Sequence, residues 1–453
     1  MGIGVSSWQL ANAVSRRGQL GVVSGAGLDS VFARRLQDGD PGGHLRRAMA
    51  HFPIPGVAED ALKKFFRPEG SAPGASYRLL PLGRPAVSHA SERFTMLAAF
   101  VEIHLAREGH DGVVGINLLT KIQLGTLALL YGAMLAGVDY VLMGAGIPRE
   151  IPAVLDALAE RRVASWRLEI EGGDREVLLS LDPREHGDAK ALTRPRFLPI
   201  VSSHVLAMSM ARRPGSGVDG FVVEAPIAGG HNAPPRVEAP RNERGEPVYG
   251  PRDEVDLAKM RDLGLPFWLA GGAGRPGRLQ EALDQGATGI QVGTLFAYCD
   301  ESGIAEPIKR SVLAAVARGD ADVRTDGDAS PTGYPFKMVS WNEDPARGVA
   351  RERRCDLGYL RVAFTALDGS VGFRCASEPV EDYVRKGGRA EDTVGRLCLC
   401  NGLLATVGHA QARAHGAVEP PLVTSGDDLV RLGSFLAGRE RYGAADVLDY
   451  LLG

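Results

Sequence analysis

Two glycine-rich segments follow short apolar runs in the second half of the sequence. Residues 269–274 read Leu-Ala-Gly-Gly-Ala-Gly, and residues 291–294 read Gln-Val-Gly-Thr. Glycines at the ends of strands let backbone N–H groups approach an anion without a Cβ in the way. The two segments therefore predict a site for the phosphate of a cofactor, and tight turns without a ligand are the alternative. The candidate ligand-binding residues are Gly271, Gly272, Gln291, Val292, Gly293 and Thr294.

A histidine follows a further pair of glycines. Residues 222–232 read Val-Val-Glu-Ala-Pro-Ile-Ala-Gly-Gly-His-Asn, so Glu224 ends an apolar run and His231 comes after Gly229 and Gly230. A histidine at this place can transfer a proton near neutral pH or donate a hydrogen bond to a substrate oxygen. We predict a catalytic role for His231. A histidine in a surface loop is the alternative, and Glu224 could equally bond the nearby backbone.

Three further polar residues are candidates for ligand contact. Asn117 ends an earlier apolar run, and its amide can both donate to and accept from a flat heterocycle, although a lone asparagine is more often a helix cap. Lys121 and Lys337 are candidates for contact with a substrate anion. Lys337 belongs to the turn-rich segment 330–337, which either closes over the site or packs the C-terminal part onto the rest of the chain.

Four of the five cysteines lie close together near the C-terminus. They are Cys355, Cys375, Cys398 and Cys400. Four thiolates are enough to bind a tetrahedral Zn²⁺ or an iron–sulfur cluster. Their spacing does not follow the common pattern of two Cys-x-x-Cys pairs, so buried reduced cysteines are an equal alternative.

These residues require a fold that brings the ends of many strands to one place. Apolar runs predict seven strands, and amphipathic stretches between them predict helices. Most of the runs are continuous, as expected for parallel strands that are covered on both faces. The predicted strands are residues 19–24, 113–117, 140–144, 197–203, 220–224, 267–272 and 289–294. The predicted helices include residues 7–16, 122–136, 151–160, 204–213, 254–263 and 278–285.

The alternation of strands and helices predicts an α/β fold, and we expect a TIM (β/α)8 barrel. One strand of the eight is missing, and Met1-Gly2 looks like the turn that ends it, so we expect the natural start to lie upstream of Met1. The barrel would span 1–325, with insertions at 28–112 and 163–194; the second contains a hairpin that turns at Gly172-Gly173-Asp174. A connecting segment, 326–348, would lead to an α-rich, cysteine-containing unit at 349–453.

Composition excludes several classes of protein. The chain has 453 residues, 52 Lys and Arg against 55 Asp and Glu, and a net charge of −3, which gives no support for a nucleic-acid or membrane-surface partner. Five cysteines are too few for a disulfide scaffold. We find no signal-peptide or transmembrane pattern, so we expect a cytoplasmic protein.

The sequence resembles the nitronate monooxygenase (2-nitropropane dioxygenase-like) family over residues 1 to about 300. The resemblance lies in four motifs that occur in this order: the strand-end asparagine, Ala-Gly-Gly-His, Ala-Gly-Gly and Gln-Val-Gly-Thr. Enoyl reductases that use FMN share the pattern. The resemblance implies an FMN-binding barrel in which Asn117 bonds the flavin ring and His231 is the catalytic histidine. It also implies that Glu224, Gly229 and Gly272 line the FMN and that Gln291, Val292, Gly293 and Thr294 bind its phosphate region. The family usually has glutamine in place of Glu224 and glutamate in place of Ile227.

The implied function is an FMN-dependent oxidoreductase that oxidises a small nitronate-type substrate with O₂ as the final acceptor. One alternative is an enoyl reductase that uses NAD(P)H and acts on carrier-bound acyl chains. The other is a flavin-binding protein without turnover, which the unusual Glu224 and Ile227 motivate. The expected partner is thus a small-molecule substrate or a carrier-bound acyl substrate. The sequence does not fix the oligomeric state, and a homo-oligomer is one of the alternatives.

Overall fold

We describe the protein from a computed structural model that covers residues 2–72, 74–172, 176–187, 191–213, 215, 217–237 and 240–453. Met1, and Gly173 and Asp174 of the predicted hairpin turn, lie outside the described residues.

Seven strands lie on the predicted apolar runs, and the others belong to the second insertion and to the part of the chain after residue 320. In chain order they are β1 (Gly21–Ser24), β2 (Val114–Leu119), β3 (Tyr140–Gly144), β4 (Ala164–Arg167), β5 (Ile170–Glu171), β6 (Leu178–Leu181), β7 (Arg196–Val201), β8 (Phe221–Glu224), β9 (Phe267–Ala270), β10 (Gly289–Gln291), β11 (Asp322–Asp326), β12 (Phe336–Ser340), β13 (Val362–Thr365) and β14 (Val371–Arg374).

Helices lie between the strands and continue to the C-terminus. They are α1 (Trp8–Ser15), α2 (Leu28–Gln37), α3 (His44–Met49), α4 (Val57–Phe65), α5 (His89–Ala106), α6 (Thr126–Leu135), α7 (Ile151–Ala159), α8 (His204–Ala211), α9 (Leu257–Arg261), α10 (Arg278–Asp284), α11 (Thr294–Ala297), α12 (Glu306–Arg318), α13 (Val380–Arg385), α14 (Leu399–Thr406), α15 (Leu432–Leu436) and α16 (Ala444–Leu452).

The central sheet contains the seven predicted strands. Its order is β1-β2-β3-β7-β8-β9-β10, and every neighbouring pair is parallel. The strands thus follow one another around the sheet in chain order, as in a β/α barrel, but β1 and β10 remain edges in the described chain. The predicted fold class, a barrel short of one strand, is confirmed.

The two faces of this sheet pack differently. The outer face carries the largest apolar core, in which helices such as α5 and α6 cover the strands. On the inner face Leu142, Leu198, Val222 and Ala270 form a small cluster. Because the sheet is not closed, the inner face is not completely filled, and a cavity extends along it.

The two insertions form separate structures. The first contributes α2 to α5, of which α5 is largely buried between α1, α2 and α6. In the second, β4 and β6 pair antiparallel as the predicted hairpin requires. The short strand β5 instead pairs in parallel with β13, so it joins the insertion to the C-terminal part of the chain.

The C-terminal part packs against the barrel over a wide area. β11 and β12 form an antiparallel ribbon, and β13 and β14 form a second one. Apolar residues after position 350, including Leu360 and Leu403, join a core with Ile3, Ala26 and Ile122 near the carboxyl ends of the barrel strands. In the part of the chain that the structure describes, no helix has the length and apolar character needed to cross a membrane.

Candidate functional site

A large cavity opens at the carboxyl ends of β8, β9 and β10. Its volume is about 550 Å³, within the usual range for ligand pockets. All the cofactor-binding residues predicted from the sequence line it, except Asn117; they are Glu224, Gly229, Gly230, Gly271, Gly272, Gln291, Val292, Gly293 and Thr294. The cavity continues along the inner face of the sheet to apolar side chains of α1 and α16, among them Leu10 and Leu448.

The glycines at this edge allow two loops to approach each other closely. Gly271 and Gly272 have φ angles of +87° and +67°, in the left-handed region that favours glycine. A Cβ on Gly271 would lie 3.1 Å from the backbone nitrogen of Ala228. Larger residues would therefore separate the loop after β9 from the loop after β8.

Backbone donors face the cavity without a protein partner. Within the described residues, we find no acceptor for the N–H groups of Gly272, Gly293 and Thr294. The space where a Cβ of Gly293 would point is also empty within 4 Å. Free N–H groups around an open space are suited to an anion such as a phosphate.

A loop near the C-terminus completes this edge, and the sequence analysis missed it. In residues 424–428, Thr-Ser-Gly-Asp-Asp, the Thr424 hydroxyl accepts from the N–H of Gly230 (2.9 Å), and the N–H of Gly426 donates to Thr294 Oγ1 (3.1 Å). Asp428 accepts from the N–H of Gly274 (3.1 Å), so that donor is occupied by a carboxylate. Turn-forming residues were the only sequence signal, because these contacts join positions more than 130 apart.

A smaller cavity of about 80 Å³ adjoins the large one and shares Glu224, Gly229 and Gly230 with it. Asn117 and His231 line this chamber, which we call the small chamber. Residues of the C-terminal part cover it; they are Tyr359, Leu360, Leu399, Cys400 and Leu403. The structure thus brings His231, Asn117 and Glu224 together under an apolar cover that the sequence analysis did not predict.

His231 is held by a hydrogen bond and by an aromatic ring. Its Nε2 lies 2.7 Å from the hydroxyl of Ser330, which in turn lies 2.8 Å from Thr332 Oγ1. The ring packs edge-on against Phe336 at a centroid distance of 4.8 Å. Burial lowers the pKa of His231 to about 4, so the imidazole is neutral near pH 7. Ser330 is fully buried. It belongs to segment 330–337, for which closure over the site was one of the two predictions, although no contact with His231 was predicted for Ser330 itself.

Glu224 lies where the cavities meet. Burial raises its pKa from 4.5 to about 7, because little solvent is available to stabilise the carboxylate. Asn117 lies on β2, which is separated from β8 by two strands of the sheet. Its buried Oδ1 has no hydrogen-bond partner among the described residues. Both groups therefore have unmet bonding capacity toward the cavities.

The two candidate lysines lie elsewhere. Lys337 is buried, and its ammonium group bonds Thr325 Oγ1 and Asp427 Oδ1, both at 2.7 Å. Lys121 pairs with Glu169 at 3.4 Å and lies over the ring of Tyr334. Neither residue lines the large cavity or the small chamber, so the structure does not support their predicted contact with a substrate anion.

The structure contains one compact group of side chains with metal-binding atoms among its described residues. It consists of His89, Glu92 and His186, whose atoms lie within 4.8 Å of one another. Arg93 donates to Nδ1 of His186 (3.4 Å), so a neutral ring carries its proton on Nε2, the atom that faces Glu92. This arrangement opposes metal binding there. The four C-terminal cysteines are free thiols that form a wider group.

Comparisons with known proteins agree with this geometry. Residues 185–323 match the model of the nitronate monooxygenase family. This part of the chain resembles nitronate monooxygenases. The matched residues include Glu224, His231 and both glycine segments, so the resemblance predicted from the sequence is confirmed. The predicted class, an oxidoreductase enzyme, is confirmed by the same match. A search of the curated proteins finds no match to the sequence.

The chain is also similar to several solved structures. The enoyl reductase domain of MlnA from the macrolactin biosynthesis cluster of Bacillus amyloliquefaciens has a TM-score of 0.50 at 11% identity, over 99% of this chain and 90% of that one. FabK from Thermotoga maritima has a TM-score of 0.46 at 16% identity, over 99% and 88% of the two chains. A nitroalkane oxidase from Streptomyces ansochromogenes has a TM-score of 0.45 at 15% identity, over 100% and 92%.

Proposed function

We propose that the protein is an FMN-dependent oxidoreductase that oxidises a small nitronate-type substrate, with O₂ as the final acceptor. The observation that carries this proposal is the junction of the two cavities. Glycine loops with free N–H groups surround the larger one, and His231 stands in the small chamber beside it.

The residues present fit FMN. The free N–H groups of Gly272, Gly293 and Thr294 are suited to its phosphate, and the empty space beside Gly293 leaves room for it. Asn117, whose Oδ1 is buried without a described partner, can bond the edge of the flavin ring. When bound, FMN supplies the redox chemistry, taking electrons from the substrate and passing them to O₂.

The chain's own residues provide substrate binding and protection from water. His231 is neutral near pH 7, so it can donate a hydrogen bond to an anionic nitronate oxygen or accept a proton. Ser330 fixes the orientation of the imidazole through the 2.7 Å contact with Nε2. The apolar cover, which includes Leu360 and Leu399, excludes water from the reacting atoms.

The size of the small chamber favours a small substrate. About 80 Å³ accommodates a few non-hydrogen atoms, as in a short nitronate. The alternative, an enoyl reductase with NAD(P)H as donor, is favoured by a different observation. The large cavity continues past Leu10 and Leu448 along an apolar path, which could hold an acyl chain.

Anaerobic mixing of the FMN-loaded protein distinguishes the two reactions. We expect rapid bleaching of the flavin absorbance by the nitronate of 2-nitropropane and none by NADPH. The variant His231→Ala should lose most of the bleaching rate while retaining FMN, whereas the control Lys121→Ala, outside both cavities, should keep it. Bleaching by NADPH alone would favour the reductase. Bleaching by neither would favour a flavin-binding protein without turnover.

A further inference from the structure

The cysteine cluster, defined as Cys355, Cys375, Cys398 and Cys400, comes from three separate segments. One lies in the loop before β13, one directly follows β14, and two lie at the start of α14. The thiols of Cys355 and Cys375 form a hydrogen bond with each other. The thiols of Cys398 and Cys400 lie within electrostatic range of both. All four thiols therefore lie in one neighbourhood.

Hydrogen bonds fix these segments to one another. Ser377 Oγ donates to the carbonyl of Leu397 (2.6 Å), which joins the turn after Cys375 to the residue before Cys398. Arg353, two residues before Cys355, donates to carbonyls in both of the other segments, among them those of Ala376, Glu378 (3.0 Å) and Thr393 (3.2 Å).

The side chain of Asn401 adds a third connection. Its amide nitrogen donates to Asp356 Oδ1 (2.7 Å) and contacts the sulfur of Cys398 (3.4 Å). The residue after Cys355 is thereby linked to the residue after Cys400. These hydrogen bonds hold the three segments of the cluster together.

Charged groups of both signs lie near the cluster. The guanidinium groups of Arg351, Arg353 and Arg361 are within electrostatic range of its sulfurs, and so are the carboxylates of Glu378 and Glu419. Guanidinium groups beside four thiolate ligands help to offset the negative charge of the metal centre that these ligands would form.

The spacing of the sulfurs selects among thiolate-bound centres. Zinc bonds sulfur at about 2.3 Å, which places four tetrahedral ligands about 3.8 Å apart. No three sulfurs of the cluster come within 4.8 Å of one another in the described structure. In a [4Fe–4S] cluster each thiolate bonds a different iron atom, so its four ligands lie farther apart than those of zinc.

We propose that Cys355, Cys375, Cys398 and Cys400 bind an iron–sulfur cluster. Because Cys400 also lines the small chamber with His231 and Asn117, this centre borders the substrate site. The proposal is independent of the flavin chemistry, since it depends on the C-terminal residues alone.

Iron and acid-labile sulfide in protein purified without oxygen test the proposal. We expect about four of each per chain in the wild-type protein. Cys375→Ser and Cys398→Ser should each lose most of both. The control is Cys299→Ser, because Cys299 is fully buried in a different core and its bond to the carbonyl of Phe296 (3.1 Å) can be made by serine.

Three results would overturn the proposal, and the wild-type protein alone can give each of them. They are stoichiometric zinc without sulfide, four free thiols without metal, and a disulfide between Cys355 and Cys375 without metal. If a serine variant fails to fold, the wild-type iron and sulfide contents still decide the matter. A measured FMN content does not enter the test, so the proposed function can fail separately.

Discussion

Substitution of Glu224 by glutamine should change the pH dependence of stability. Glutamine keeps the shape of the side chain but cannot ionise. In the unfolded chain Glu224 loses its proton near pH 4.5, whereas in the folded protein burial holds its pKa at about 7. The folded state therefore binds more protons within this window, and stability falls as the pH rises through it.

The expected magnitude follows from the shift. A change from 4.5 to about 7 corresponds to a penalty of about 3 kcal/mol above pH 7, at about 1.4 kcal/mol per pKa unit. At pH 5 only about 1 kcal/mol of it is present, because the folded state is still protonated and the unfolded state is largely ionised. The advantage of Glu224→Gln over wild type should thus grow by about 2.5 kcal/mol between pH 5 and pH 8.

Urea unfolding of the FMN-free proteins at these two pH values measures the difference. Any change in packing or hydrogen bonding caused by the amide is the same at both and cancels. Glu69→Gln, which alters an exposed carboxylate, is the control and should give no such increase. A stability difference between Glu224→Gln and wild type that is equal at pH 5 and pH 8 would refute the reasoning.

Three other substitutions test separate parts of the site. Gly293→Ala points a methyl group into empty space, so the melting temperature of the protein without FMN should not change. The Kd for FMN, measured by fluorescence, should rise at least tenfold, and an unchanged affinity would argue against a phosphate there. Ser330→Ala removes the hydrogen-bond partner of His231, so the free energy of unfolding in urea should fall by about 1–3 kcal/mol. Flavin bleaching should also become slower, and full activity would exclude a positioning role for Ser330. Asp427→Asn leaves the buried ammonium of Lys337 without its charged partner. In urea unfolding it should therefore destabilise the protein more than Lys337→Met does, and the opposite order would contradict the buried pair.

The sheet could be predicted because its strands are continuous apolar runs that end in glycine or polar residues. Helix starts were less predictable, since they depend on single residues. The helix predicted at 122–136 begins at Thr126, because Gly125 has a φ of +84° and ends the preceding turn. The helix predicted at 254–263 begins after Asp256, whose carboxylate accepts from the N–H of Ala258 (3.1 Å) and that of Lys259.

The glycine segments of the site could also be predicted, because they depend on local residue type. The partners from the C-terminal part could not. Gly230 bonds Thr424, and Lys337 pairs with Asp427, and nothing in the intervening sequence indicates either contact. Lys337 was interpreted as a ligand for an anion because its partner Asp427, a carboxylate distant in the chain, could not be foreseen from the sequence.

The proposed chemistry depends most directly on FMN binding at the glycine loops. Flavin released by heating the purified protein, or bound on titration with FMN, should reach one FMN per chain and give a yellow protein. A colourless protein that binds no FMN at micromolar concentrations would contradict the account.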